Sequence, residues 1–200
     1  MGTVATPTAH GHTGRPLRAV DGVAQVMAMV DSLAVPGALN LYDETASVAW
    51  GDAPGAATRR RKALRDYLAG HWSAPLVLVG EAPGRHGARW TGVPFTSPHL
   101  LTGSGPKEAS AAVVQRTLAE LGRSSDVLLW NASVLFPPDN RDPRRIEVEA
   151  CAPVLERICR GRTVVAVGRH AERATGAPYL RHPSHGGASR FAEGLRLLLG

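Results

Sequence analysis

The sequence predicts an α/β fold: a three-layer α/β/α arrangement around a central four-stranded, mainly parallel sheet. Three observations carry this reading. Aliphatic runs at 76–79, 127–130 and 163–167 continue without polar interruption, as strands buried on both faces do. Amphipathic helical patterns separate them, and β-loop-α alternation of this kind builds parallel sheets with helices on both sides. The first run opens directly into Gly80-Glu81-Ala82-Pro83-Gly84, a tight loop punctuated by glycine and proline.

In chain order, residues 1–18 mix Thr, His, Gly and Pro without periodicity and read as a disordered leader. From 19 to 200 a single domain is expected. Val23, Val26, Met27, Val30 and Leu33 stand at helical spacing over 20–33, and Pro36-Gly37 stops that helix. Over 40–50, Tyr42 and Trp50 fit either a core or a binding face. Over 58–72, Leu64, Tyr67 and Leu68 mark a helix that also carries Arg59-Arg60-Arg61-Lys62. That basic run reads as a solvated helix end or as a phosphate-contact surface.

Helices follow at 108–121, closed by Gly122, and at 146–159, with Val148, Cys151, Val154, Leu155 and Ile158 inward. After the third strand come a short helix near Ala171 and a short strand near Tyr179-Leu180. A last helix spans 189–199, with Ser189 as its N-cap.

Composition narrows the function. The net charge is +6 and the pI about 10.1, suited to a polyanionic partner. Lys62 and Lys107 are the only lysines, so the positive charge is almost entirely arginine. No apolar run is long enough to span a bilayer, and no secretory signal stands at the start. Cys151 and Cys159 lie roughly 12 Å apart by helical rise, too far to bridge. A reduced, cytoplasmic and monomeric protein is expected, with no membrane contact.

In an open parallel sheet, ligands meet the carboxyl ends of the strands. Glu81 follows the first run, Asn131 ends the second, and His182-Pro183-Ser184 comes after the third. One sheet can therefore gather Glu81, Asn131 and His182. At these residues the chain resembles the uracil-DNA glycosylase superfamily, most closely its family 4. Gly80-Glu81-Ala82-Pro83-Gly84 with Gly92-Val93-Pro94-Phe95 is similar to the family's first motif. Asn131 followed by the 137–143 segment and Glu147 is similar to its middle block, and His182-Pro183-Ser184 to its second motif.

The resemblance implies a glycosylase that flips uracil out of DNA and hydrolyses its N-glycosidic bond, acting at the nucleoid. Phe95 would stack on the flipped base and Asn131 would read uracil O4 and N3–H. His182 would donate to O2 as negative charge develops. Ser184 would meet phosphate, and His185, Arg190 and Arg141 would contact DNA. Glu81 would orient the attacking water or the sugar, unless the main-chain N–H groups of Gly80, Glu81 and Ala82 do the binding. A deaminated purine such as hypoxanthine in place of uracil, or lesion binding with weak chemistry, are the other functions compatible with the motifs.

Three departures stand out. Family 4 holds an iron–sulfur cluster on four cysteines; here only Cys151 matches one and Leu135 replaces another, so no cofactor or metal is expected. Gly87 occupies the place where a carboxylate usually walls off the methyl of thymine, in a segment one residue longer than the family pattern. Arg144-Arg145-Ile146 resembles the loop of a branch that traps DNA covalently, but Glu147 follows in place of the trapping histidine.

Overall fold

The aliphatic runs form the centre of the computed structural model, which describes residues 19–199. The expected leader, 1–18, lies outside them. The helices are α1 (Ala19–Asp31), α2 (Glu44–Ala49), α3 (Ala56–His71), α4 (Ala88–Thr91), α5 (Pro98–Thr102), α6 (Ala109–Glu120), α7 (Arg145–Cys159), α8 (Arg169–Thr175) and α9 (Ala188–Leu199). The strands are β1 (Leu39–Asn40), β2 (Leu76–Gly80), β3 (Val127–Asn131), β4 (Leu135–Phe136), β5 (Thr163–Val167) and β6 (Tyr179–Leu180), with a 3-10 turn at Pro138–Asn140.

Four strands make one parallel sheet in the order β3-β2-β5-β6. Side chains alternate across a strand, and here both faces are covered. Val77, Val79, Leu128 and Trp130 pack with α1, α3 and α7 on one side. Leu76, Leu78, Leu129 and Val165 pack with α6 and α9 on the other. That two-sided burial is why the runs show no polar alternation. The expected three-layer α/β/α fold is present.

Several features were not foreseen. β1 and β4 pair antiparallel in a separate ribbon, two residues each and too short to show a period. α9 begins at Ala188, so Ser189 lies inside the helix and is not its cap. The Arg59–Lys62 run is not a phosphate surface as a whole. Arg60 is 3% exposed and donates to Leu41 O, Arg89 O, Ser47 Oγ and Asp52. Arg61 pairs with Asp31, and Lys62 with Asp66. Arg89 closes the cluster with two bonds to Asp52, at 3.0 and 2.7 Å. Burial alone would push the Asp52 carboxyl up, but hydrogen bonds from Arg89 and Arg60 outweigh it and hold the group below its ordinary value.

Candidate active site

Parallel strands in register end together. Gly80 is level with Asn131, and pairing runs past both ends through Ala132 N–H to Gly80 O (2.8 Å) and Ser133 N–H to Glu81 O (2.9 Å). At the far edge of the sheet, Gly168 N–H bonds Leu180 O (2.9 Å), fixing where the chain leaves β6 two residues before His182. Glu81, Asn131 and His182 consequently line one cleft of about 760 Å³, with Phe95 and Ser184. Ala82, Arg141 and His185 also face it. Arg190 does not line it and lies exposed in the first turn of α9.

Gly80 is the floor beneath the aromatic ring. A Cβ there would fall 2.5 Å from Phe95 Cζ and 2.8 Å from Asn131 Oδ1, so only glycine lets the two side chains meet over the strand end. Phe95 sits at φ 53°, a left-handed conformation rare outside glycine. Gln115 Nε2 on α6 donates to its carbonyl (3.1 Å) and anchors it. Asp139 (φ 57°) and His185 (φ 50°) share this backbone state, and all three line the same cleft. Non-glycine residues held this way cluster at functional sites. Asn131 is 4% exposed, and no hydrogen bond to its side-chain amide is present among the described residues.

The tautomer of His182 follows from its neighbours. Ser184 N–H points at Nδ1 (3.2 Å) and can only donate, so Nδ1 is an acceptor. Ser184 Oγ lies 2.7 Å from the same nitrogen and donates to it as well, while His185 Nδ1 approaches that hydroxyl at 3.0 Å. The ring proton is left on Nε2. Burial, aided by the charges of Arg181 and His185, lowers the His182 pKa to about 4, so the ring is neutral near pH 7. Ser184, read from sequence as a phosphate contact, therefore has its hydroxyl committed to orienting His182.

Three residues at the site escaped the sequence reading. Arg181 donates to the carbonyls of His182 (3.1 Å), Ser184 (3.4 Å) and His185 (3.3 Å), clasping the loop from within. His170 Nδ1 stands 3.3 Å from Glu81 Oε1, and its Nε2 stands 3.4 Å from Asp142 Oδ2. Burial pushes the Glu81 carboxyl up, His170 and Arg173 pull it down, and the Asp142 charge raises it. The donor atoms of Glu81, Asp142 and His170 lie within 4.8 Å of one another, and Glu81 Oε1 is buried with no hydrogen-bond partner among the described residues, the His170 contact being one of proximity alone. His170 follows the carboxyl end of β5, so the strand-end logic that found Glu81 could have found it. Arg181 and Asp142 carried no such signal.

Arg141 was expected to contact DNA. Its guanidinium is instead shared by Glu147 Oε1 (2.5 Å) and Oε2 (3.0 Å) and by the carbonyls of Gly37 and Asp142. Burial would raise the pKa of the fully enclosed Glu147. Hydrogen bonds from Arg141 and from the backbone and side chain of Arg144 bring it down to about 2. Arg141 thus fastens the loop that frames the cleft.

An iron–sulfur cluster does not fit these residues. The whole sequence has two cysteines, and such clusters take four protein thiolates. Cys151 is buried with Leu135 in the core, 3.8 Å from Ser133 Oγ, and burial pushes its thiol pKa up, away from the ligating form. Purified protein is expected to be colourless and to lack stoichiometric iron and sulfide. Visible absorbance with both elements present would contradict this.

A strand-end asparagine, an aromatic ring and a neutral histidine thus share one cleft. The uracil DNA glycosylase superfamily matches residues 69–195, and the chain belongs to that superfamily. It is 36% identical over 106 residues to the type-4 uracil-DNA glycosylase of Archaeoglobus fulgidus, covering 51% of this chain and 47% of that one. With the type-4 enzyme of Sulfurisphaera tokodaii it shares 32% over 108 residues, 52% and 44% of the respective chains. The chain spans about half the length of these curated relatives. Among solved structures, SMUG2 of Pedobacter heparinus superposes with a TM-score of 0.58 at 14% identity, covering 88% of this chain and 97% of that one, a likeness of fold.

Proposed function

We propose that the protein is a monofunctional uracil-DNA glycosylase that takes a uracil flipped out of DNA and replaces its N-glycosidic bond by a bond to water. The C1′–N1 bond breaks with its electron pair going to the base, and the water oxygen bonds to C1′. One proton from that water passes to Glu81 or to solvent, and the products are a uracil anion and an abasic site. The observation that carries the reading is the single cleft lined by His182 with its Nε2–H, by the amide of Asn131 and by the ring of Phe95. His182 donates to O2 as charge develops, a donation that costs no reorganisation because the tautomer is already set.

Asn131 matches O4 and N3–H, and Phe95 stacks on the ring. The His170 ring stands 3.3 Å from the Glu81 carboxyl at the strand end. The basic surface attracts the phosphate backbone, and one copy of the chain supplies every group of the cleft. Duplex oligonucleotides carrying uracil, hypoxanthine or no lesion, treated with purified protein and then alkali, test this. Strand scission only at uracil is expected. Scission only at hypoxanthine would change the substrate, and binding without scission would remove the chemistry.

A further inference from the structure

We infer that Glu108 determines which ring substituents the cleft admits, its carboxyl forming the wall that meets the C5–C6 edge of the base. The inference rests on the reading of the cleft as a uracil site. Glu108 immediately precedes α6, where a side chain usually caps the helix, yet it makes no capping hydrogen bond. It turns instead into the cleft that Phe95 and Asn131 line. There its Oε2 is buried with no hydrogen-bond partner among the described residues.

An orphaned carboxyl oxygen calls for an explanation, and a ligand that completes it is the simplest one in a binding cleft. The opposite loop is shaped for this group. A Cβ on Gly84 would fall 2.4 Å from Oε2, and one on Gly87 would fall 1.6 Å from it. The Glu108 carboxyl thus fills the space that a side chain at either position would take, and at Gly87 a Cβ would also fall 2.6 Å from the Thr96 carbonyl.

Elimination gives the edge it faces. Asn131 takes O4 and N3–H, His182 takes O2, and N1 carries the sugar, so C5 and C6 remain. Burial pushes the Glu108 carboxyl up to about 7, so near neutrality it can both donate and accept. A hydrogen at C5 fits against it. A methyl group would press an apolar surface on the orphaned oxygen, whereas a hydroxymethyl group could satisfy it.

The experiment compares single-turnover excision of uracil, thymine and 5-hydroxymethyluracil, each opposite guanine, by wild type, Glu108→Gln and Glu108→Ala. In parallel, thermal shifts with the free bases report binding without chemistry. Wild type is expected to reject thymine and accept both other bases. Glu108→Ala should raise the thymine-to-uracil ratio by about 10-fold or more, the usual discrimination for one methyl-sized group. Glu108→Gln, of equal size and still able to donate and accept, should keep the rejection and show that the site still folds. A thymine ratio unmoved by Glu108→Ala would overturn the inference. If no uracil is excised at all, the proposed chemistry fails, and the free-base shifts decide about Glu108 alone: uracil and thymine stabilising wild type and Glu108→Ala alike would remove its role.

Discussion

Replacing His182 by alanine is expected to lower the single-turnover rate of uracil excision by roughly 10² to 10³-fold, the loss measured when one preorganised donor is removed from a developing anion. The size of the effect follows from how completely the ring is prepared. Two hydrogen bonds from Ser184 occupy Nδ1, Arg181 holds the surrounding carbonyls, and the pKa near 4 keeps the ring neutral. A neutral donor does not attract the phosphates of the ground state, so its contribution is concentrated in the transition state.

Affinity for a product duplex with an abasic site should change far less, because phosphate contacts supply most of it. The pH profile adds a check whose sign is fixed. A depressed histidine pKa means that the neutral ring persists down to about pH 4. Any loss of rate assigned to His182 should appear only as the pH falls through that value, where a proton on Nδ1 displaces the Ser184 bonds. Stopped-time excision assays from pH 4 to 8 measure it. An unchanged rate in His182→Ala would leave the ring a structural role.

Changing Asn131 to aspartate is expected to cost uracil excision at least roughly 10²-fold, about 2.7 kcal/mol in barrier height. The amide lies at the end of a fully buried strand, its oxygen and the Phe95 ring both closing on Gly80. Burial at the strand end limits its freedom to turn away from a mismatch. Aspartate removes the donor to O4 and adds negative charge near the departing base anion. Buried groups left unpaired make such a site reject a wrong partner strongly. Cytosine offers a donor at its N4 where uracil has an acceptor, so trace cytosine excision in the variant is the accompanying expectation. Single-turnover cleavage of paired uracil and cytosine oligonucleotides, with circular dichroism to confirm folding, decides it. Uracil cleavage at the wild-type rate would mean that Asn131 does not read the base.

What the sequence disclosed, and what it hid, follows from the range of the interactions. β2, β3 and β5 were legible because two-sided burial removes polar residues from a contiguous stretch, a local signal. Glu81, Asn131 and His182 were legible because strand ends in a parallel sheet point one way. Glu108 was not, since its meaning depends on two glycines across the cleft and on a helix cap it declines to make. Arg60 was ambiguous for another reason: a guanidinium looks alike in sequence whether it faces phosphate or, as here, a carboxylate eight residues back. The β1–β4 ribbon is held by pairing across the chain, and two residues per strand leave no period to read.

The superfamily match begins at residue 69, but the mechanical unit does not. Tyr42 Oη donates to Gly92 O (2.6 Å), Arg60 Nη1 donates to Arg89 O (3.1 Å), and Asp52 grips both guanidiniums. Gly92, at φ 74°, lies so near the Arg60 backbone that a Cβ would come within 2.9 Å of its Cα. The turn that delivers Phe95 is therefore braced by chain from outside the stretch common to the superfamily. Shared ancestry and shared rigidity cover different lengths of this polypeptide. A graft of residues 69–195 onto another scaffold would carry every motif residue across and leave behind the brace that aims the aromatic ring.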